Sequence, residues 1–459
     1  MFTPSGRREH SEVLTAILDG LAEADFHDLA GLDPMKPVPL KTQIVLTVAE
    51  VLRAARELDC GLCRNEAFVF TYNGEFWQLL GKDDLERFLG DAAEKLGVSW
   101  IDARHFETKA KLGKQFFADA HLPTPERRRD VVLINLQNGT YELGRDRFVI
   151  RDPDPGDFLT YQLPFNYDET ATCPTWQVFL DEVLPDGDRS RQRVLAEFVG
   201  YVFARHLKLE KCLILYGTGA NGKSVVFDVI SALLGPDNVA NVSLESLSKS
   251  EYYRATLANK LLNYSSEIST RLQAEKFKQL TSGEPIEARL PYGQPMTLTN
   301  YARLAFNSNE LPRDVEHTEA FFRRFLIVPF DITVPADRRD PGLATRIIET
   351  ELSSVFNWML DGLGRLLRQS GFTHSAAVDA ALDTFRRESD SVAMFVEDEG
   401  YRRSATDSIY LRALYQEYRT YCQDNGLKAC GSKTVVRRLE GLGFASDKGM
   451  SGKRIYADK

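Results

Sequence analysis

The sequence has no long hydrophobic run, few cysteines and no excess of positive charge. None of its apolar segments approaches the ~20 residues that span a bilayer, so we expect no membrane contact. Six cysteines among 459 residues are too few for a disulfide framework. Cys60 and Cys63 form a CxxC with no second Cys or His pair at zinc-ligand spacing, which indicates ordinary reduced thiols. The net charge of -9 excludes a basic surface all round, so any contact with nucleic acid must be local.

The composition and the apolar patterns are those of a multidomain globular protein. The N-terminal segment lacks an apolar stretch of signal-peptide type, which predicts a cytoplasmic location. A mixed helix and strand pattern gives a first module at residues 1–165, and a long helical segment, Thr175 to His206, dominates residues 166–210. Strands and helices alternate at residues 211–370, which is typical of a mostly parallel α/β core. Residues 371–459 read as helical up to Gly431, then as one more helix and two short strands.

The stretch GTGANGKS, residues 217–224, matches the pattern GxxxxGK[ST]. A predicted strand, Cys212 to Tyr216, precedes it, and a helix that starts near Ser224 and stops at Gly235 follows it. Such a loop points its backbone N–H groups at phosphates, Lys223 reaches the β and γ phosphates, and Ser224 holds Mg²⁺. These flanks disfavour a glycine-rich turn with a surface lysine. The remaining loop residues predicted to bind the nucleotide are Gly217, Thr218, Gly219, Ala220, Asn221 and Gly222.

Two later strands of this region also end in polar residues. NKLLNYSSEIS places Glu267 at a strand end, where a carboxylate organises Mg²⁺ or aligns the attacking water. The preceding residue is Ser266 and not a second acid, so Glu267 alone must fill whichever of these roles is needed. We favour alignment of the attacking water as its role. YARLAFNSNELP ends in Asn307 and Asn309, and Asn309 is the stronger candidate for contacting the γ-phosphate or the water. Asparagines that merely form a turn before Pro312 remain the alternative.

A pair of arginines, Arg323 and Arg324, precedes the predicted buried strand in FFRRFLIVPF. In a ring of subunits, an arginine at this position can contact the γ-phosphate that is bound by the neighbour. A solvated helix end is the alternative interpretation.

Taken in order, GTGANGKS, SSE, LTSGEPIEAR, NSNELP and RRFLIVPF resemble the superfamily 3 helicase core of phage and plasmid primase-helicases, which are relatives of the poxvirus primase-helicase. INLQNGTYEL, FLTYQLPFNYD and CPTWQVFLDEVL extend the resemblance upstream, to about Val131 through Leu367. It implies an α/β fold with an AAA+-like P-loop core, preceded by an α+β module and a helical collar. It also implies ATP and Mg²⁺ as cofactors and a homo-hexamer that translocates on single-stranded DNA.

The resemblance further implies a hairpin that projects into the channel of the ring, and EARLPYGQPMTLTN provides it with a turn at Pro291 to Pro295. Arg289 and Tyr292 offer a charge and a stacking face for single-stranded DNA. Relatives often carry a lysine where this chain has Gln294, so the grip can also depend on basic residues nearby. Alternatively, Arg289 and Tyr292 only close the hairpin. The nearby basic candidates are Lys276 and Lys278.

Positive charge is concentrated at the C-terminal end, where residues 428–459 contain eight basic and three acidic side chains. The helix SKTVVRRLEGL followed by the turn GMSGKR predicts a winged-helix domain that binds duplex DNA, with the helix in the groove and a basic wing on the phosphates. An ordinary solvated surface is the alternative. The candidate DNA-binding residues are Lys433, Arg437, Arg438, Lys453 and Arg454.

These patterns favour a replicative DNA helicase of a phage, plasmid or other mobile element. A non-motor AAA+ ATPase that binds an origin or regulates replication remains the alternative, and a P-loop phosphotransferase is disfavoured because no segment reads as a substrate lid. Before residue 150 we find no closely spaced carboxylates and histidine of a nucleotidyl-transfer site. We therefore expect a helicase part without its own primase, and a separate primase is a candidate partner.

Overall fold

The computed structural model describes residues 9–125, 131–144, 148–266, 268, 273–291, 293–312, 315–427, 429–449 and 452–459. The chain divides into two compact units, residues 1–168 and 169–459, and both are mixed α/β. All six cysteines are free thiols. Among the helices in the described ranges, none combines the length and the apolar character that a membrane crossing requires.

The first unit combines six helices with two separate antiparallel sheets in its described part. The sheets have the strand orders β1-β2-β3 and β4-β5-β6. The mixture of helices and strands that the sequence predicts for this part of the chain is confirmed. The helices are α1 (His10–Gly20), α2 (Phe26–Ala30), α3 (Leu40–Glu57), α4 (Lys82–Lys95), α5 (Trp100–Arg104) and α6 (Phe106–Asp119). The strands are β1 (Gly61–Asn65), β2 (Phe68–Tyr72), β3 (Trp77–Leu80), β4 (Val132–Leu136), β5 (Gly139–Leu143) and β6 (Phe148–Arg151).

The second unit contains the segment with the phosphate-loop pattern and the basic C-terminal segment. Its helices are α7 (Pro174–Val183), α8 (Ser190–Tyr201), α9 (Lys223–Leu234), α10 (Leu244–Lys249), α11 (Glu251–Ala255), α12 (Ala274–Ser282), α13 (Glu319–Phe322), α14 (Leu343–Gln369), α15 (Ala376–Glu388), α16 (Ser391–Asp398), α17 (Leu411–Asp424) and α18 (Ser432–Gly441). Its strands are β7 (Cys212–Tyr216), β8 (Val239–Ala240), β9 (Leu262–Ser265), β10 (Ile286–Arg289), β11 (Pro295–Leu298), β12 (Arg303–Ser308), β13 (Phe325–Pro329), β14 (Arg402–Arg403), β15 (Ile409–Tyr410), β16 (Ser446–Gly449), β17 (Gly452–Ile455) and β18 (Ala457–Asp458).

A five-stranded parallel sheet with the order β13-β7-β12-β9-β8 forms the centre of the second unit. Its strands β7 and β13 are continuous apolar runs, CLILY and FLIVP, and they are almost fully buried, as expected for a parallel sheet covered on both faces. Tyr216, at the end of β7, pairs with Ser308 on one side and Pro329 on the other. The carboxyl ends of these three strands therefore meet at one edge of the sheet.

The single helix predicted from Thr175 to His206 is wrong. Instead, α7 ends at Val183 and α8 begins at Ser190, and the connection LPDGDR lies between them. Pro185 lacks a backbone N–H and cannot continue a helix, and Arg189 adopts the left-handed conformation. The prediction that residues 371–431 are wholly helical also missed β14 and β15. Each has only two residues, and both pair with strands near the C-terminus, β18 and β17.

Residues 392–457 enclose a hydrophobic core of their own, formed by α16, α17, α18 and the C-terminal strands. Strand β17 is the middle strand of the antiparallel sheet β15-β17-β16. Helix α18 leads directly into the hairpin of β16 and β17. Fully buried members of this core include Val392, Phe395, Tyr418, Val435, Leu439 and Ile455.

Candidate nucleotide-binding site

The loop of residues 217–222 leaves the parallel sheet between two neighbouring strand ends. The backbone N–H of Gly217 donates to the carbonyl of Ser308 on β12, with an N–O distance of 3.1 Å. On the other side, the N–H of Phe330 donates to the carbonyl of Tyr216 at 2.7 Å. The loop then enters α9, whose first residue is Lys223. The predicted strand, loop and helix are therefore present in sequence order.

Two glycines of the loop leave no room for a side chain. A Cβ on Gly217 would lie 2.3 Å from the carbonyl oxygen of Phe330, and a Cβ on Gly222 would lie 2.8 Å from Val183. Gly222 also has a φ of 87°, which L side chains rarely adopt. Gly219, by contrast, faces open space. Close packing at Gly217 and Gly222 therefore fixes both ends of the loop, while its middle stays accessible.

The ammonium group of Lys223 lies inside the loop and is surrounded by oxygen atoms. Its Nζ donates to the carbonyls of Gly217 at 2.6 Å and Thr218 at 3.1 Å, and to the side-chain oxygens of Asn221 at 3.1 Å and Asn309 at 3.2 Å. Lys223 is only 7% exposed, and this burial lowers its pKa from the ordinary value. The loop thus holds a preorganised positive charge at the start of a helix, where anions bind favourably.

Asn309 and Asn307 have different environments although they are two residues apart. Asn307 is buried at the end of β12, and its Oδ1 accepts a hydrogen bond from the hydroxyl of Tyr264 at 3.0 Å. Asn309 lies one residue beyond that strand, is exposed, and accepts from Lys223. Of the two, the structure brings Asn309 to the loop. Ser224, in the first turn of α9, is also exposed.

The predicted carboxylate, Glu267, lies outside the described residues. Strand β9, which precedes it, ends at Ser265, and β12 lies between β9 and β7 in the sheet. Within the described ranges, no cluster of three or more His, Cys, Asp or Glu side chains could hold a metal ion.

Arg323 and Arg324 lie just before β13, at the opposite edge of the sheet from the loop, because β13 and β7 are parallel and Phe325 pairs with Cys212. The two differ in exposure. The Arg323 side chain is 55% exposed and pairs with Glu210 at 2.7 Å. Arg324 is buried and contacts Glu210 at 3.0 Å, the hydroxyl of Ser282 at 2.9 Å and the carbonyl of Ala320.

The hairpin of β10 and β11 is present, and its cationic candidates already have partners within the chain. The Nε of Arg289 donates to the carbonyl of Gly293 at 2.9 Å, so this side chain spans the turn. Lys278 pairs with Glu316 at 2.9 Å. Lys276 contacts only the amide oxygen of Gln279 at 3.4 Å among the described residues, and Tyr292 is not among them. The contact of Arg289 favours the interpretation that it closes the hairpin.

Only two of the five C-terminal candidates are both exposed and unpaired with acids in the described part of the chain. These two, Lys433 and Arg437, lie one turn apart on α18. Arg438 pairs instead with Asp390 at 3.1 Å, with both side chains about 15% exposed. In the hairpin, Lys453 pairs with Glu440 at 3.2 Å, and Arg454 donates to the hydroxyl of Tyr410 at 3.2 Å.

Sequence reasoning missed the side-chain contacts that support the site. Asn221 was assigned only as part of the loop, yet its side chain contacts both Lys223 and Phe330. The partners Tyr264 and Glu210 were not singled out at all. Their contacts join residues far apart in the chain, and the sequence offers no periodicity or spacing that would have revealed them.

Two family models match parts of the chain. A family described as "D5 N terminal like" matches residues 49–185, and a "Family of unknown function (DUF5906)" matches residues 215–324. The second match covers the phosphate-loop pattern and ends at the arginine pair.

Among curated proteins, the chain is similar to one of Acanthamoeba polyphaga mimivirus that is named "Putative helicase L207/L206", with 24% identity over 338 residues. The aligned region is 66% of this chain and 34% of the mimivirus protein, so the chain spans about a third of that relative's length.

Among solved structures, the apo C-terminal region of NrS-1 matches with 12% identity and a TM-score of 0.47, covering 90% of this chain and 98% of the other. The A form of the same apo C-terminal region matches with 11% identity and a TM-score of 0.47, covering 91% of this chain and 100% of the other. The family match at residues 49–185 and the mimivirus relative confirm the prediction from the motifs: the chain is related to the primase-helicases of phages and viruses.

Proposed function

We propose that the protein is an ATP-dependent replicative DNA helicase of a phage, plasmid or other mobile element. The observation that carries the proposal is the position of Lys223, which is held by the loop carbonyls and by Asn309 at the tip of the neighbouring strand. A buried cation at the start of a helix, inside a glycine-bounded loop, is suited to the phosphates of a nucleoside triphosphate. The proposed core, residues 211–370, is an AAA+-like P-loop ATPase of superfamily 3.

In this core, the loop N–H groups and Lys223 would bind the β and γ phosphates. Asn309 lies within hydrogen-bond distance of Lys223, so the same amide can contact the γ-phosphate or the attacking water. The exposed hydroxyl of Ser224 fits Mg²⁺, because this ion usually takes one or two protein ligands and completes its shell with phosphates and water. When bound, Mg²⁺ neutralises the charge that develops on the phosphates. Glu267 remains the candidate for positioning the water.

The positions of the arginines support assembly into a ring, which we propose to be a homo-hexamer. Arg323 and Arg324 lie at the sheet edge opposite the loop of their own chain. An arginine at that edge can therefore act on a nucleotide bound by a neighbouring chain. Arg323 is the better candidate for this contact, because Arg324 is buried against Ser282 and Ala320.

For DNA, we propose two contacts. Single-stranded DNA would pass through the ring channel along the hairpin of β10 and β11, where Gln294 is exposed at the turn, and Lys276 on the preceding helix α12 is a further candidate contact. Duplex DNA would bind residues 371–459. The order α16, β15, α17, α18, β16 and β17 supports a winged-helix domain there, in which β16 and β17 would form the wing. We also propose a separate primase as a partner, which would bind the N-terminal module at residues 1–165, and a helical collar at residues 166–210.

A non-motor AAA+ ATPase that binds an origin is the second candidate. The internal contacts of Arg289 and Lys278 favour it, because they occupy two of the cations that were expected to grip single-stranded DNA. A motor should instead show ATP hydrolysis that rises with single-stranded DNA, and it should displace a strand from a forked duplex.

The test measures ATP hydrolysis with and without single-stranded DNA, together with strand displacement, for the wild type, Lys223→Ala and Lys249→Ala. Lys249 is a surface lysine on α10 and serves as the matched control. We expect DNA-stimulated hydrolysis and displacement in the wild type and the control, and neither in Lys223→Ala. Hydrolysis without DNA stimulation or displacement would favour the non-motor ATPase. Hydrolysis at the wild-type rate in Lys223→Ala would contradict the nucleotide site itself.

A further inference from the structure

The side chain of Asn221 is the least exposed part of the phosphate-loop segment, although the pattern GxxxxGK[ST] places no requirement on it. Asn221 is 3% exposed. Its Oδ1 accepts from the Nζ of Lys223 at 3.1 Å, and its Nδ2 donates to the carbonyl of Phe330 at 3.1 Å. One amide therefore joins the loop lysine to the segment that follows β13.

The segment after β13 is attached to the loop at a second point. The N–H of Val334 donates to the carbonyl of Ala220 at 2.8 Å, and the N–H of Phe330 donates to Tyr216, the residue before the loop, at 2.7 Å. The amide also fits tightly, because a Cβ on Gly217 would lie 2.5 Å from its Nδ2. The loop is thus held between β7, which it continues, and the chain that leaves β13.

The chemistry of this position requires an amide. Lys223 needs an acceptor, whereas the carbonyl of Phe330 needs a donor, and the asparagine side chain provides both in one planar group. A carboxylate of the same size would still accept from Lys223 but would face the carbonyl without a proton to donate. An apolar side chain would leave both partners without this hydrogen bond, which is costly for buried groups.

The contacts of Lys223 also define how a nucleotide would compete for it. Its ammonium group has three N–H donors, and four oxygen atoms lie within 3.2 Å of Nζ. Phosphate oxygens entering the loop must take donors from some of these acceptors. The carbonyls of Gly217 and Thr218 can give up their donors to phosphate, whereas the hydrogen bond to Asn221 can persist and keep Nζ of Lys223 in the site.

We propose that Asn221 is a positioning residue for nucleotide binding, which holds the ammonium group of Lys223 in the phosphate site and fastens the loop to the end of β13. This inference rests on the proposed function, since it assumes that the loop binds a nucleoside triphosphate. It assigns to Asn221 an effect on nucleotide affinity that exceeds its effect on the hydrolytic step.

The test compares Asn221→Ala and Asn221→Asp with Asn238→Ala in the full-length protein. Asn238 is a matched control, because it is another buried asparagine, 8% exposed, whose Nδ2 donates to a carbonyl, that of Leu234 at 2.8 Å, at the far end of α9. The measurements are the Kd for Mg²⁺ and a fluorescent ATP analogue, the KM and kcat of hydrolysis, and the thermal midpoint of each variant.

We expect Asn221→Ala to raise the Kd and KM about 10-fold or more, since it removes a hydrogen bond to a charged group, with a smaller change in kcat. Asn221→Asp should raise the Kd further, because its carboxylate neutralises Lys223 and repels the phosphates. Asn238→Ala should lower the thermal midpoint and leave the Kd within about 2-fold of the wild type, because its hydrogen bond lies away from the loop.

The outcomes separate this inference from the proposed function. If Lys223→Ala binds the ATP analogue as the wild type does, the nucleotide site itself is wrong. If Lys223→Ala loses binding while both Asn221 variants retain the wild-type Kd, only the role of Asn221 is overturned. Loss of the folded state in both Asn221 variants, or equal effects of Asn221→Ala and Asn238→Ala on Kd, would show a merely structural asparagine and would also overturn it.

Discussion

The phosphate-loop segment and the basic C-terminal segment both contain candidate binding residues predicted from the sequence. In the structure, the candidates of the first segment lie together, whereas those of the second are dispersed. At the phosphate loop, Nζ of Lys223, the first residue of α9, lies 3.2 Å from Oδ1 of Asn309, which follows the end of β12. In the C-terminal segment, five candidate cations are distributed over at least two environments. Lys433 and Arg437 are exposed on α18, whereas Arg438 is paired and mostly buried.

The difference follows from the kind of information in each segment. The loop pattern fixes residue spacing between a strand and a helix, and two of its glycines are required because neighbouring atoms leave no space for a Cβ. A count of basic residues, by contrast, fixes composition alone. Which of those residues faces solvent depends on helical phase and on acids elsewhere in the chain. A spacing pattern therefore predicts the local backbone of a site, whereas a charge pattern predicts only the segment that contains the candidate residues.

The largest effect that can test this comparison concerns Arg323, the more exposed of the two arginines that were predicted to contact a neighbour's nucleotide. If Arg323 completes a neighbour's site, Arg323→Ala should lower ATP hydrolysis by about 10³-fold or more, as for other arginine fingers. Mixing Arg323→Ala with Lys223→Ala should restore part of the activity, because some junctions then pair an intact loop with an intact arginine. Hydrolysis by the mixture, measured against each variant alone, is the readout.

Arg324→Ala provides the matched variant for that experiment. Arg324 is buried and contacts Glu210, Ser282 and Ala320, so its removal should lower the thermal midpoint more than the removal of Arg323 does. Co-assembly is checked by pull-down of differently tagged chains. Mixtures that co-assemble and stay inactive, for both arginines, would exclude a shared site and remove the argument for a ring.

The fold and the site were predictable from the sequence to different extents. The strand Cys212–Tyr216 was predicted with its observed ends, and α9 begins one residue before the predicted start, because apolar runs and glycines mark these elements locally. The contact of Asn221 with Phe330 spans 109 residues of sequence, and the pair of Arg438 with Asp390 spans 48. No local pattern encodes such pairs, since they depend on how separate elements pack.

A smaller effect is expected for the exposed cations of α18. Replacing both Lys433 and Arg437 by alanine should weaken duplex binding and reduce the slope of log K against log salt by about 2, roughly 1 for each phosphate that the variant no longer neutralises. Lys459→Ala is the control, because Lys459 is already paired with Glu399 at 2.7 Å. Binding is measured by fluorescence anisotropy across a salt series. An unchanged slope in the double variant would make this face of α18 an ordinary solvated surface.

The smallest effect on DNA is expected for Arg438, the neighbour of Arg437 in sequence. Its guanidinium pairs with Asp390, whose side chain also accepts from the N–H groups of Val392 and Ala393 and so caps α16. Arg438→Met should therefore change duplex affinity less than about 2-fold and should destabilise the protein by about 1 to 3 kcal/mol, because Asp390 loses a mostly buried partner.

The combination Arg438→Met with Asp390→Asn distinguishes a structural ion pair from a DNA contact. If the two residues form an ion pair, the losses in free energy of unfolding from the two single substitutions should add up to more than the loss from the double substitution. The reason is that the second substitution removes the charge that the first left unpaired. Thermal or urea unfolding gives the coupling, and anisotropy at one salt concentration gives the duplex affinity. If Arg438→Met weakens duplex binding as much as Arg437→Ala and shows no coupling to Asp390, the charge count alone would have identified a DNA contact that the packing of α18 does not indicate.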